Sequence, residues 1–186
     1  LEFKSLSRRE DLFKEDDAPT KNTESIKPNS VIKVEDLSSS FGFFNKPLIS
    51  LVIGENAVSV SDGYDEYTFP VMRSLMDDGF SETEVLRTLS PIFTGKSTLI
   101  VYDKKLLKHY LKNNLDLHLT CPTHDLSIMK YLADYSGAST GIKDIFESYN
   151  LDEKTPAFSL IKGYEKLFNL MEKEGVLSLY KDVELP

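Results

Sequence analysis

The sequence predicts an α/β domain, a mixed sheet flanked by helices, on three observations. Three strand-like runs follow one another at short spacing between Pro47 and Phe69, a buried-type strand at Ser97–Tyr102 leads straight into a helix, and a long amphipathic helix follows Thr155-Pro156. Antiparallel neighbours need only short loops, whereas a strand that runs at once into a helix opens a parallel βα unit.

Each element has its own signal. Leu1–Phe13 places Leu1, Phe3, Leu6, Leu12 and Phe13 at loosely helical spacing, and its start in mid-pattern is expected of a piece of a longer chain. Lys14–Ser30 is almost free of apolar residues and rich in Ser, Thr, Asn and acids, the composition of a linker. The chain therefore divides into residues 1–30, the end of a preceding domain plus linker, and a domain over 31–186. Val31–Val34 reads as a short strand. Pro47–Ile53, Ala57–Ser61 and Glu66–Phe69, separated by Gly54-Glu55-Asn56 and Asp62-Gly63-Tyr64-Asp65, read as a meander. A short helix is expected over Val71–Asp78, ended by Gly79, and Ser81 with Glu84 forms a capping box for a helix to about Ser90. After Ser97–Tyr102 come a helix at Lys104–Asn113, a last strand at Leu115–Leu119 and helices at Asp125–Tyr135 and Thr140–Tyr149, the latter capped by Ser139 or Thr140. The closing helix has Thr155 as N-cap and Pro156 at its first position, and it runs to Gly175.

Composition narrows the function classes. The 186 residues hold 22 basic and 30 acidic side chains, a net charge of −8. That balance argues against a protein that grips nucleic acid over its whole surface, because phosphate affinity rests on Lys and Arg. No apolar run reaches the ~18–20 residues of a membrane span, and no secretory leader pattern opens the chain. The expectation is a soluble, cytoplasmic, monomeric fragment with no membrane partner. The lone Cys121 can form no internal disulfide, and His109, His118 and His124 match no helical metal pair. Gly95-Lys96-Ser97 looks like the end of a phosphate-binding loop, but the motif's first Gly is missing and a strand follows. One segment is basic: Lys96, Lys104, Lys105, Lys108 and Lys112 stand against Asp103 alone. Lys104, Lys105, Lys108 and Lys112 surround a stripe of Leu106, Leu107, Tyr110 and Leu111. This is read as an amphipathic helix with a solvated lysine face, and the same face is the candidate nucleic-acid contact.

Four stretches carry a family resemblance. Glu172–Pro186 resembles the junction between the exonuclease-type and polymerase domains of bacterial family A DNA polymerases. Leu1–Leu6 resembles the end of their 5′-nuclease domain, Val101–Leu111 their second exonuclease motif, and Thr123–Leu132 the Asp-Thr motif that opens a later helix. The resemblance implies a ribonuclease H-like, DnaQ-like exonuclease fold. It also implies a parent enzyme of polymerase I type, with the polymerase domain of the same chain and DNA as partners, and Mg²⁺ serving that polymerase domain.

An active relative holds two divalent ions with carboxylates from separate elements. At the matching positions the acids are absent. Pro47–Ile53 has no acid, Leu107 stands at the second-motif Asp, and Thr155-Pro156 stands at the third. Asp125 is expected to cap a helix rather than bind metal. The reading is a catalytically silent exonuclease domain that serves as a scaffold, with no catalytic residue, no metal ligand and no cofactor of its own. Two alternatives stay open: an active Mg²⁺-dependent exonuclease with ligands drawn from Glu35, Asp36, Asp103, Asp152 or Glu153, and a stand-alone interaction domain.

Overall fold

The computed structural model describes residues 27–74, 76–133 and 141–184. The helical pattern of Leu1–Phe13, its polymerase-like stretch, most of the linker, Ser139, Thr140 and the final Leu-Pro lie outside the described residues.

Six strands form one sheet in the order β1-β4-β3-β2-β5-β6. They are β1 (Val31–Lys33), β2 (Leu48–Ile53), β3 (Ala57–Ser61), β4 (Glu66–Pro70), β5 (Thr98–Val101) and β6 (Thr123–Asp125). The predicted meander is present, with β2, β3 and β4 antiparallel in turn. β5 joins β2 in parallel, β6 joins β5 in parallel, and β1 adds to β4 at the far edge.

Alternation along the strands assigns the two faces. Ile49, Leu51, Val58, Val60, Phe69, Leu99 and Val101 pack with α1 (Glu82–Thr88), α2 (Ser90–Thr94) and α3 (Lys104–Leu115). On the opposite face Ile100 packs with Leu126 and Met129 of α4 (Leu126–Ala133) and with Leu160, Leu167 and Met171 of α6 (Pro156–Lys173). Between these last two helices lies α5 (Ile142–Ser148), and after α6 come α7 (Leu177–Leu179) and a π-helical turn, Tyr180–Glu184. Strand residues under the start of α6 are small, Ser50, Ser59 and Ser61, and all three are buried. That lets the helix lie close enough for Ser50 Oγ to donate to Ala157 O at 2.7 Å.

Several caps are as the sequence predicts. Ser81 Oγ accepts from Glu84 N while Glu84 Oε2 accepts from Ser81 N. Gly175 adopts φ 72°, and Val176 N–H donates to Met171 O at 3.0 Å, closing α6 in the left-handed manner glycine favours.

Four expectations need correction. Val71–Asp78 is not a helix: Asp77 Oδ2 accepts from Arg73 N and Ser74 N, and Val71 bridges to Phe80. Local side-chain bonds of this kind compete with helix formation. Leu115–Leu119 is not a strand, because Leu115 continues the buried series Leu107, Leu111, Leu115 of α3, and the last strand is Thr123–Asp125. The N-cap of α5 is Gly141, whose amide donates to Asp144 Oδ2 at 2.8 Å. Thr155 occupies the N-cap position of α6 without bonding to the helix through its side chain.

Candidate functional site

The first-motif strand of the resemblance is β2, and its second motif lies on α3. Where these elements end side by side, with the end of β5 between them, there is a cleft of about 420 Å³. Its lining is Leu51, Val52, Ile53 and Gly54 from β2 and its turn, Val101, Tyr102 and Asp103 after β5, Leu106, Leu107 and Tyr110 of α3, and Ile142 of α5. Leu107 is buried in the core, as its place on the α3 stripe requires. Leu106 departs from the expected stripe: it is 67% exposed at the cleft, one position off the face that Leu107, Leu111 and Leu115 present to the sheet.

A pair of divalent cations needs several anionic oxygens at one place. Among the described residues the cleft is lined by one carboxylate, Asp103, whose Oδ1 accepts the Leu106 amide at 2.7 Å as the N-cap of α3. The described lining does not fit the metal pair. The other acids considered lie elsewhere. Glu35 and Asp36 are exposed after β1, at the far edge of the sheet, and Asp36 closes a turn onto Ser38 that holds its carboxyl below the usual range. Asp152 accepts Lys154 N at 2.9 Å in the turn before α6, and Glu153 is exposed beside it. Thr155 and Pro156 do not line the cleft. Among the described residues, no three His, Cys, Asp or Glu side chains gather in a metal-holding group.

The acids that are buried act on backbone amides instead. Asp125 caps α4 through Ser127 N at 2.9 Å, Ser127 Oγ at 2.7 Å and Ile128 N at 3.3 Å, as predicted. Its second oxygen accepts Lys104 N at 2.7 Å, so one carboxylate holds the starts of α3 and α4 together. Glu66 of β4 does the corresponding work for α6, accepting Phe158 N at 2.8 Å where Thr155 does not cap. Burial pushes the Glu66 carboxyl up to about 7, against the pull of the Phe158 and Ala157 amides and Ser59, with Asp152 adding to the rise.

His124 was one of three histidines without a pattern, and the fold gives it a place. Its Nδ1 lies 3.0 Å from Tyr180 Oη and its Nε2 3.4 Å from Tyr164 Oη. Tyr180 Oη also accepts Asp125 N–H at 3.3 Å, so the phenol ties the imidazole to the start of α4. Burial lowers the His124 pKa, and Lys104 and Lys181 lower it further. Tyr180 belongs to the closing segment of the resemblance, and its ring is fully buried. Sequence reasoning missed Glu66, which stands in no motif, and gave no role to His124 and Tyr180, although both lie inside quoted stretches.

The four lysines sit on α3. Lys105, Lys108 and Lys112 are exposed, and Lys112 bonds to Asp116 at 2.5 Å. At 100° per residue these positions fall away from the Leu106–Tyr110 side, so the lysine face and the cleft are separate surfaces. Ser97 Oγ donates to Lys46 O as β5 begins, which excludes a phosphate-loop geometry there, and Cys121 is buried.

No protein-family model matches the chain, and no curated protein sequence matches it. Solved structures do. Brucella melitensis NrnC bound to pGG is 11% identical with a TM-score of 0.54, covering 81% of this chain and 83% of that one. The polymerase domain of Pol1 from M. smegmatis, in complex with DNA primer-template and dNTP, is 17% identical with a TM-score of 0.53 over 74% of this chain and 26% of that one. Escherichia coli RNase D, an exoribonuclease involved in structured RNA processing, is 14% identical with a TM-score of 0.52 over 82% and 47%. The chain has the ribonuclease H-like fold of the DnaQ-like 3′–5′ exonucleases, and its span is about a quarter of the polymerase chain it resembles.

Proposed function

We propose that this chain is a catalytically silent 3′–5′ exonuclease-like domain acting as a structural scaffold within a DNA polymerase I type enzyme of the cytoplasm. The observation that carries the reading is the cleft: Leu107 and the end of β2 meet where the nuclease chemistry would need carboxylates, and the wall is apolar. A two-metal nuclease without its acids cannot offset the dehydration of Mg²⁺, so the fold is retained for its surfaces and its connections. Its partners in this reading are the polymerase domain of the same chain and the DNA that domain holds, with Mg²⁺ serving the polymerase site. The exposed Lys105 and Lys108, with Lys104 and Lys112, are the candidate DNA-facing side chains. The fit to the polymerase over a quarter of its length and the order of the sequence motifs support the parent; NrnC and RNase D support the exonuclease fold.

The test is degradation of 3′-labelled single-stranded DNA by the full chain in Mg²⁺ or Mn²⁺. Intact DNA after an extended incubation is expected. Stepwise loss of 3′ nucleotides, abolished by Asp103→Asn, would instead establish an active exonuclease with a displaced ligand set.

A further inference from the structure

Under the first turn of α6 lies a cluster of buried polar groups: Ser50 of β2, Ser59 and Ser61 of β3, Glu66 of β4, and Thr155 and Ser159 at the helix start. Most are matched. Ser50 Oγ donates to Ala157 O, Ser61 Oγ to Asp65 O and Ser159 Oγ to Asp152 O. Two atoms lack a partner in full hydrogen-bond geometry, Glu66 Oε1 and Thr155 Oγ1, although the Ser59 hydroxyl and the Ala157 amide stand near the Glu66 carboxyl. Glu66 has no exposed surface, and its other oxygen carries the Phe158 amide.

The charges around it do not neutralise an ionised carboxylate. From β3 it faces Ser59 and Ser61, and from β1 its register partner is Val31. Lys46, Arg73 and Lys162 are paired with other acids, Lys46 with Asp62 at 3.3 Å, Arg73 with Glu82 at 2.8 Å and Lys162 with Glu165 at 3.0 Å. Asp65 is its chain neighbour, and Asp152, before the helix, acts on it as a like charge. A buried carboxylate without a cation is costly, whereas a neutral carboxyl that still accepts an amide is not.

We propose that Glu66 is a proton-dependent clamp on the N-terminus of α6, closed when its carboxyl is neutral and loosened when it ionises. This goes beyond the scaffold reading and does not depend on it. The positive end of the helix and the Phe158 amide favour the anion, and full burial opposes it more strongly. Burial holds the group near 7 in the folded chain against its ordinary 4.5. The sign follows: a group raised on folding stabilises fully below the ordinary value, and that contribution is lost as pH rises through the folded value, here between about 4.5 and 7. The first turn of α6, rather than the whole helix, feels the loss, because Leu160, Leu167 and Met171 remain packed in the core.

Hydrogen exchange of the Phe158 amide in the full chain, corrected for the intrinsic pH dependence of exchange, tests this. Opening should increase roughly tenfold between pH 6 and 8.5, and Glu66→Gln, neutral throughout, should flatten the profile. A ¹³C titration of the Glu66 carboxyl in the unaltered chain provides the second readout and should give a midpoint near neutrality. A midpoint in the ordinary carboxylate range, or a Phe158 profile that Glu66→Gln leaves unchanged, would overturn the proposal.

Discussion

Two parts of the sheet differ in how many acids they hold. At the cleft, where β2 and β5 end, Leu51, Val52, Ile53, Leu106 and Leu107 form a wall in which Asp103 is the one carboxylate among the described lining residues. Beneath the helix starts, Glu66 and Asp125 are buried, and each accepts backbone amides. Carboxylates in this chain therefore organise helix N-termini, the place where four amides lack partners and the dipole favours negative charge. The cleft beside β2 and α3, by contrast, has a mostly apolar described lining. In the reading proposed above, the lack of metal ligands at the cleft and the capping of helices by buried acids are independent demands on one sheet.

The contrast can be broken most severely at Asp125. Asp125→Ala removes the cap of α4 and the bond to the Lys104 amide, leaving α3 with its own cap Asp103, and together these losses amount to about 2–3 kcal/mol. Urea unfolding should show this as a lowered midpoint with an unchanged slope; a loss below about 1 kcal/mol would mean that the shared cap is not holding α3 and α4 together. Tyr180→Phe comes next, since it strips the partner from Asp125 N–H and His124. A cost of about 1–2 kcal/mol is expected in the same assay. Ser81→Ala, which opens the capping box of α1, should cost about 1 kcal/mol.

The smallest effect on stability sharpens the functional half of the comparison. Lys105→Glu with Lys108→Glu lies on the exposed side of α3, so unfolding should shift by no more than about 0.5 kcal/mol. In a polymerase I type parent of the kind proposed above, the pair should weaken primer-template binding severalfold and flatten its salt dependence. Unchanged affinity would leave the lysines as solvated surface.

Much of this arrangement was legible in the residues. The near-continuous apolar run Pro47–Ile53, the alternation in Ala57–Ser61 and the short polar loops between them dictate the meander, and the Ser81/Glu84 spacing states its own cap. Asp125 was legible as a cap because an Asp before Leu126-Ser127-Ile128 is a local signal. Its second bond, to Lys104, was not, because it joins residues 21 positions apart through the parallel pairing of β5 and β6. Glu66 was hidden for the same reason: its partner Phe158 lies 92 residues away. Val71–Asp78 misled because its helical pattern is overruled by Asp77 and by the Val71–Phe80 bridge. Leu106 misled because two adjacent leucines cannot both face the core from one helix, and Leu107 holds the buried series. The absence of acids from β2 and at Leu107 was plain in the sequence; that these positions line one cleft required the fold.

The central claim is that the cleft cannot hold the metal pair of a nuclease. Calorimetric titration of the full chain with Mn²⁺ tests it most directly. The account predicts no saturable heat and no shift in the unfolding midpoint at millimolar metal. Saturable binding that raises the midpoint and is abolished by Asp103→Asn would contradict it, because a metal site would then exist at the wall described here as apolar.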